Sequence, residues 1–133
     1  MRTLFTRMAI GVSAMFLLAG SGLAGEKKLM HCFYFTPVQT ATEADWQAFH
    51  LATDALPKEV PGVSRVWYGK LARPMRLSTA NGEQVVREVG VCMEMADEAA
   101  LKTYAKHSAH QKWNEAYSKV RVPGTTTVDI LGQ

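Results

Sequence analysis

The chain has 133 residues, 47% of them hydrophobic and 20% charged, with a formal charge of +3 at pH 7. That length suits one compact domain with one core and excludes two. The small charge and the lone basic cluster in "KLARPMR" offer no stripe able to displace counterions from a nucleic acid backbone, which excludes nucleic acid as a partner.

Arg2 and Arg7 precede the apolar stretch "MAIGVSAMFLLAG", which gives way to "SGLAG" and then to the charged "EKK". A basic start, a short apolar core and small residues at Gly22 and Ala24 predict a secretory signal peptide over 1–24, cut after Ala24. The apolar run is too short to span a bilayer comfortably, and no cysteine follows "LAG". The expected product is a periplasmic or secreted protein without stable membrane insertion. Its single domain covers 25–133. Loss of Arg2 and Arg7 lowers its formal charge from +3 to +1.

"LMHCFYF" (29 to 35) is continuous and aromatic-rich, which predicts a strand that buries both faces. Thr42 can cap the next segment, where Trp46, Phe49, Thr53 and Leu56 recur at helical spacing until Pro57. Pro61 and Gly62 make a turn into the strand "VSRVWYGKL". "TANGE" then supplies Asn-Gly turn chemistry before "VVREVGVCMEM", so these two strands form a hairpin with "KLARPMR" near its tip. Asp97 can cap an alanine-rich helix, and "VPGTTTVDIL" closes the chain as a last strand. The order βαββαβ is the α+β, ferredoxin-like pattern: a four-stranded antiparallel sheet with helices on one face. Leu29, His31, Phe33 and Phe35 share one side of the first strand, and Met30, Cys32 and Tyr34 share the other. Neither side is polar, so a second copy is expected to cover the helix-free face in a homodimer, a dimeric α/β barrel.

Over residues 97 to 120, one straight helix would set Leu101 and Tyr104 far around the axis from His110, Trp113 and Tyr117. It could not bury both sets. A break near His107 and Ser108 lets both segments face the same core, which places "YAKHSAH" (104 to 110) at an elbow between two helices.

With "YAKHSAH" at this elbow, His31 on the first strand and "WYGK" (67 to 70) on the second, the chain resembles the stress-responsive α/β-barrel, or Dabb, domain family, whose signature here is Y-x-x-H-P-x-H. The similarity runs from about Lys28 to Leu131. Ser108 stands where the family usually has proline. The resemblance to a plant polyketide cyclase of that family implies an acid–base site, with His110 as general base and Tyr104 holding or protonating a carbonyl oxygen. His31 and His107 would line the same pocket, with Phe33, Phe49, Val91 and Met93 as its apolar walls. The chemistry is sound, since imidazole titrates near neutrality and a phenol can donate to a developing enolate while uncharged. The implied ligand is a small apolar or aromatic compound, and no cofactor is required.

Other readings of the same residues stay open. A buried tyrosine and histidine can stabilise an interhelix corner without any substrate, which would leave a non-catalytic ligand-binding or structural dimer. His107 and His110, three residues apart, could share a cation with His31, making a metal or haem site. His50 flanks the first helix's apolar stripe as a surface or pocket-rim residue. Cys32 and Cys92 fall on neighbouring central strands and point to the helix-free face. Two free, buried thiols are the expectation there; a disulfide would require the pair to be nearly opposite.

Overall fold

The computed structural model describes residues 27–132, so the predicted leader (1–24) lies outside the described residues. Strand β1 (Leu29–Phe35) is followed by helix α1 (Glu43–Glu59), strands β2 (Val63–Ser78) and β3 (Gln84–Met95), helices α2 (Glu98–Lys106) and α3 (Ser108–Val120), and strand β4 (Thr126–Leu131). The strands form one antiparallel sheet in the order β2-β3-β1-β4. This is the predicted ferredoxin-like arrangement, with the second helix divided in two.

The local chemistry accounts for the boundaries. At the start of α1 the Asp45 amide donates to Thr42 Oγ1 (3.2 Å) and the Thr42 amide donates to Asp45 Oδ2 (3.0 Å), a reciprocal cap. The helix runs through Pro57 rather than ending there, which corrects the expected stop. Proline this close to the end gives up only its own amide bond, and the Val60 amide closes the last turn on the Leu56 carbonyl at 2.9 Å. Gly62 then takes a φ of +87°, and a Cβ there would come within 2.5 Å of the Ala100 Cβ, so the turn into β2 packs directly on α2.

Strand β2 is longer than expected and absorbs the basic cluster assigned to the hairpin tip. Its pairing with β3 shifts between Lys70 and Met75. As an edge strand it accommodates Pro74 beside that irregularity, because an edge residue can lack an inward amide bond. At the tip the Gly82 amide donates to the Thr79 carbonyl (3.0 Å), as the Asn-Gly turn predicts.

The elbow forms without proline. His107 is the single extended residue between α2 and α3, with φ −73° and ψ 144°, and its Nδ1 accepts the Ala109 amide at 3.1 Å. A histidine cap therefore starts α3 where the family signature has proline. Both segments turn inward: Ala100 and Tyr104 of α2 and Ala109, Trp113, Tyr117 and Val120 of α3 are buried.

The core lies between the helices and the inner sheet face, where Phe35, Phe49, Val91, Met93 and Met95 are fully enclosed. Aromatic rings dominate it. Phe33 meets Trp113 edge-on at 5.0 Å, Phe35 meets Tyr117 at 5.0 Å, and Trp113 stacks on Tyr117 at 4.6 Å. The buried Trp113 indole donates to Thr53 Oγ1 (2.9 Å), and that hydroxyl donates to the Phe49 carbonyl (2.7 Å), so each buried polar atom in this link is satisfied.

Cys32 and Cys92 form a disulfide, which overturns the expectation of free thiols. The β1–β3 register sets them directly opposite each other, with Cα atoms 4.1 Å apart. They lie at the middle of the helix-free face in a row with Trp67 and Val128. That face is apolar and open: Trp67, Val128 and Ile130 are 43%, 39% and 55% exposed.

Candidate functional site

β1, β4 and the elbow bring together four titratable side chains. His31 sits opposite Asp129 in the β1–β4 register, and its Nδ1 lies 2.5 Å from Asp129 Oδ1. Asp129 is 44% exposed at its side chain and His31 14%, so the pair is reached from solvent across the uncovered edge strand. The Tyr104 ring lies 5.8 Å from the His31 ring and 4.3 Å from that of His110. Tyr104 and His110 thus meet ring to ring.

The Asp129 carboxylate accepts from His31 Nδ1–H, which leaves Nε2 outside this contact. Burial, with a lesser contribution from the phenol of Tyr117, pushes the Tyr104 hydroxyl well above its ordinary range, so it stays protonated. Burial lowers the His110 pKa, partly opposed by the hydrogen bond to the Ala105 carbonyl and reinforced by His31. His110 is therefore neutral at pH 7. Its Nδ1 lies 3.2 Å from that carbonyl, which accepts, and its Nε2 is 3.3 Å from the Asn114 amide nitrogen. Both imidazole nitrogens are engaged.

The other sequence-predicted residues fall elsewhere. His107 is spent on the α3 cap. Phe33, Val91 and Met93 are core residues beneath the cluster, all less than 5% exposed. Phe49 lines a cavity of about 310 Å³ between α1 and β2, together with Trp46, His50, Tyr68, Lys70 and Val89. There His50 stacks on Tyr68 at 5.0 Å and the Tyr68 hydroxyl donates to Asp54 at 2.9 Å. The Phe49 and Trp113 rings, 5.9 Å apart, stand between this cavity and His110. Among the described residues no group of three or more His, Cys, Asp or Glu is placed to hold a metal ion, and no helix is long and apolar enough to cross a membrane.

Asp129 was not among the residues singled out from the sequence. The available signal was a lone carboxylate in the middle of the apolar strand "TTVDIL", where alternation gives it a definite face. Asn114, one turn beyond His110, carried no comparable mark.

No protein-family model matches the chain, and no curated protein is similar to it. Solved structures are. A Dabb family protein with a ferredoxin-like fold from Mesorhizobium loti superposes with a TM-score of 0.61 at 16% identity, over 81% of this chain and 99% of that one. A dimeric ferredoxin-like protein of unknown function from Jannaschia gives 0.56 at 23% identity, over 77% and 97%. The hydroxynitrile lyase from Passiflora edulis gives 0.62 at 8% identity, over 82% and 95%. The chain has the Dabb-like, ferredoxin-type fold that these proteins share.

Proposed function

We propose that the chain is an exported homodimer that performs acid–base chemistry on a small carbonyl-containing compound at the His31–Asp129 pair, assisted by Tyr104 and His110. The 2.5 Å contact between His31 and Asp129 carries this reading. It orients one imidazole towards the cluster with Nε2 outside the carboxylate contact, whereas the corresponding nitrogen of His110 is taken by Asn114. We therefore assign the base to His31 rather than to His110, the position the family resemblance implies. Tyr104, held protonated by burial, donates to the oxygen on which negative charge develops. Proton transfer of this kind needs no cofactor. A neighbour of the same fold is a hydroxynitrile lyase, which supports a lyase-like reaction at a carbonyl carbon.

The exposed apolar row of Trp67, Val128 and Ile130, and the dimeric state of structural neighbours, support assembly through the helix-free face. The disulfide fits an oxidising compartment and so supports export. Aldehyde release from an aromatic hydroxynitrile tests the reaction. His31→Ala and Tyr104→Phe should each abolish it in protein that stays folded; wild-type turnover unaffected by both would remove the assignment. The cavity between α1 and β2 favours a second reading, a non-catalytic binder of a small apolar or aromatic compound. An apolar ligand retained through purification, identified by mass spectrometry, together with no aldehyde release, would favour it.

A further inference from the structure

Two arginines at the end of the domain remote from His31 have no counter-charge paired with them among the described residues. Arg87 projects from β3 on the helix side and is 9% exposed. Its guanidinium is held by neutral hydroxyls: Nε donates to Thr126 Oγ1 at 3.2 Å and Nη1 to Thr36 Oγ1 at 3.3 Å. Arg121 follows α3 and pairs with Pro37, just beyond β1. Its Cζ lies 4.7 Å over the Tyr117 ring, and its Nε is buried without a hydrogen-bond partner among the described residues. The ion pairs among the described residues are Lys28 with Glu94 and His31 with Asp129, and neither involves these arginines.

The two charges share one locality. Burial raises the Tyr117 phenol, while its hydrogen bond to Thr125 and the charges of Arg121 and Arg87 both pull it back. The Tyr117 hydroxyl is 2.8 Å from Thr125 Oγ1, and a Cβ on Gly124 would lie 3.6 Å from Arg87 Nη2, so the loop between α3 and β4 closes over the same spot. Guanidinium groups are seldom enclosed without a carboxylate or phosphate, because desolvating the charge is costly and hydroxyls return only part of it. Their planar fork matches a two-oxygen anion, and hydrogen bonds to ionised partners are the strong ones.

We propose that Arg87 and Arg121, with the hydroxyls of Thr36 and Thr126, form a binding site for a small oxyanion, a carboxylate or a phosphate. The site is independent of the His31–Asp129 chemistry. An oxyanion there would accept from the unpartnered Arg121 Nε–H and from the remaining Arg87 donors, while the threonines hold the Arg87 plane in place.

The test is an NMR titration of the arginine Nε–H resonances with inorganic phosphate and, separately, acetate, at constant ionic strength set with chloride. Shifts of the Arg87 and Arg121 signals by either anion at up to about 20 mM are expected, and the tighter of the two identifies the ligand chemistry. Arg121→Gln should weaken binding by roughly tenfold or more, and Arg121→Lys, which keeps the charge but loses the fork, by less. Arg121 is only half-buried, so these variants keep the fold. Silence of both resonances with both anions overturns the site, as do shifts that persist undiminished in Arg121→Gln. Aldehyde release at the other end of the domain should be unchanged in either variant, so failure of one assignment does not imply failure of the other.

Discussion

Reduction of the Cys32–Cys92 bridge, with the sequence left intact, should destabilise the domain through the unfolded state. The two cysteines are 60 residues apart in sequence, and closing a loop of that length removes chain entropy from the denatured ensemble worth about 4 kcal/mol at 25 °C. Folded contacts change little, because Cys32 and Cys92 are register partners held by the β1–β3 ladder whether or not they are joined. At about 4–8 °C per kcal/mol for a domain of this size, the melting temperature should fall by roughly 15–30 °C. Thermal unfolding followed by circular dichroism, oxidised against fully reduced, reads this directly. Protein concentration must be held equal, because dimer stability depends on it. A fall of less than about 5 °C in protein shown by thiol counting to be reduced would refute the loop-entropy account. Two reactive thiols in the untreated, denatured protein would refute the bridge itself.

Thr53→Val should cost about 1–3 kcal/mol by urea unfolding, because it strands the buried Trp113 indole N–H; a near-neutral result would mean the indole finds another acceptor. Tyr104→Phe should change stability by less than about 0.5 kcal/mol, since it removes only the hydroxyl and keeps the ring that meets His31 and His110. A larger loss would mark it as structural. The lowered His110 pKa means that the unfolded chain takes up its proton at higher pH than the folded one, so this stability is fully present above about pH 6.5 and lost as pH falls through the folded value. The melting temperature should therefore drop between about pH 7 and 5, and less steeply in His110→Gln. An identical slope in the variant would show that His110 does not contribute.

The elbow was legible because one straight helix would leave either Leu101 and Tyr104 or His110, Trp113 and Tyr117 outside the core. That conflict holds whatever residue stands at 108, so the break survives the loss of proline. Only the means differed: the α3 cap is supplied by the His107 imidazole, whose Nδ1 is thereby committed to the Ala109 amide. Of the α1–β2 cavity only Phe49 as an apolar wall and His50 as a surface or pocket-rim residue were legible, since the space itself depends on how His50 and Tyr68 stack across two elements. The same is true of Arg87, whose enclosure depends on Thr36 and Thr126, residues far away in sequence.

Strand register separates what the sequence could reveal from what it could not. The β2–β3 hairpin is closed locally by "TANGE", and turn chemistry sets its pairing near the tip. β1 has no hairpin to either neighbour: a helix and β2 intervene before β3, and most of the chain intervenes before β4. Its two registers are selected by side-chain packing across the sheet, where Phe33 must meet Trp113 and Phe35 must meet Tyr117. Alternation could therefore say that Cys32 and Cys92 share a face and that His31 points towards the helices. It could not say that Cys32 faces Cys92 or that His31 faces Asp129. Both pairings depend on β1 in the same way, so a one-residue slip of this strand would break the disulfide and the histidine–carboxylate contact together. The bridge on the outer face thus fixes β1 against β3 in the register that also presents His31 on the inner face.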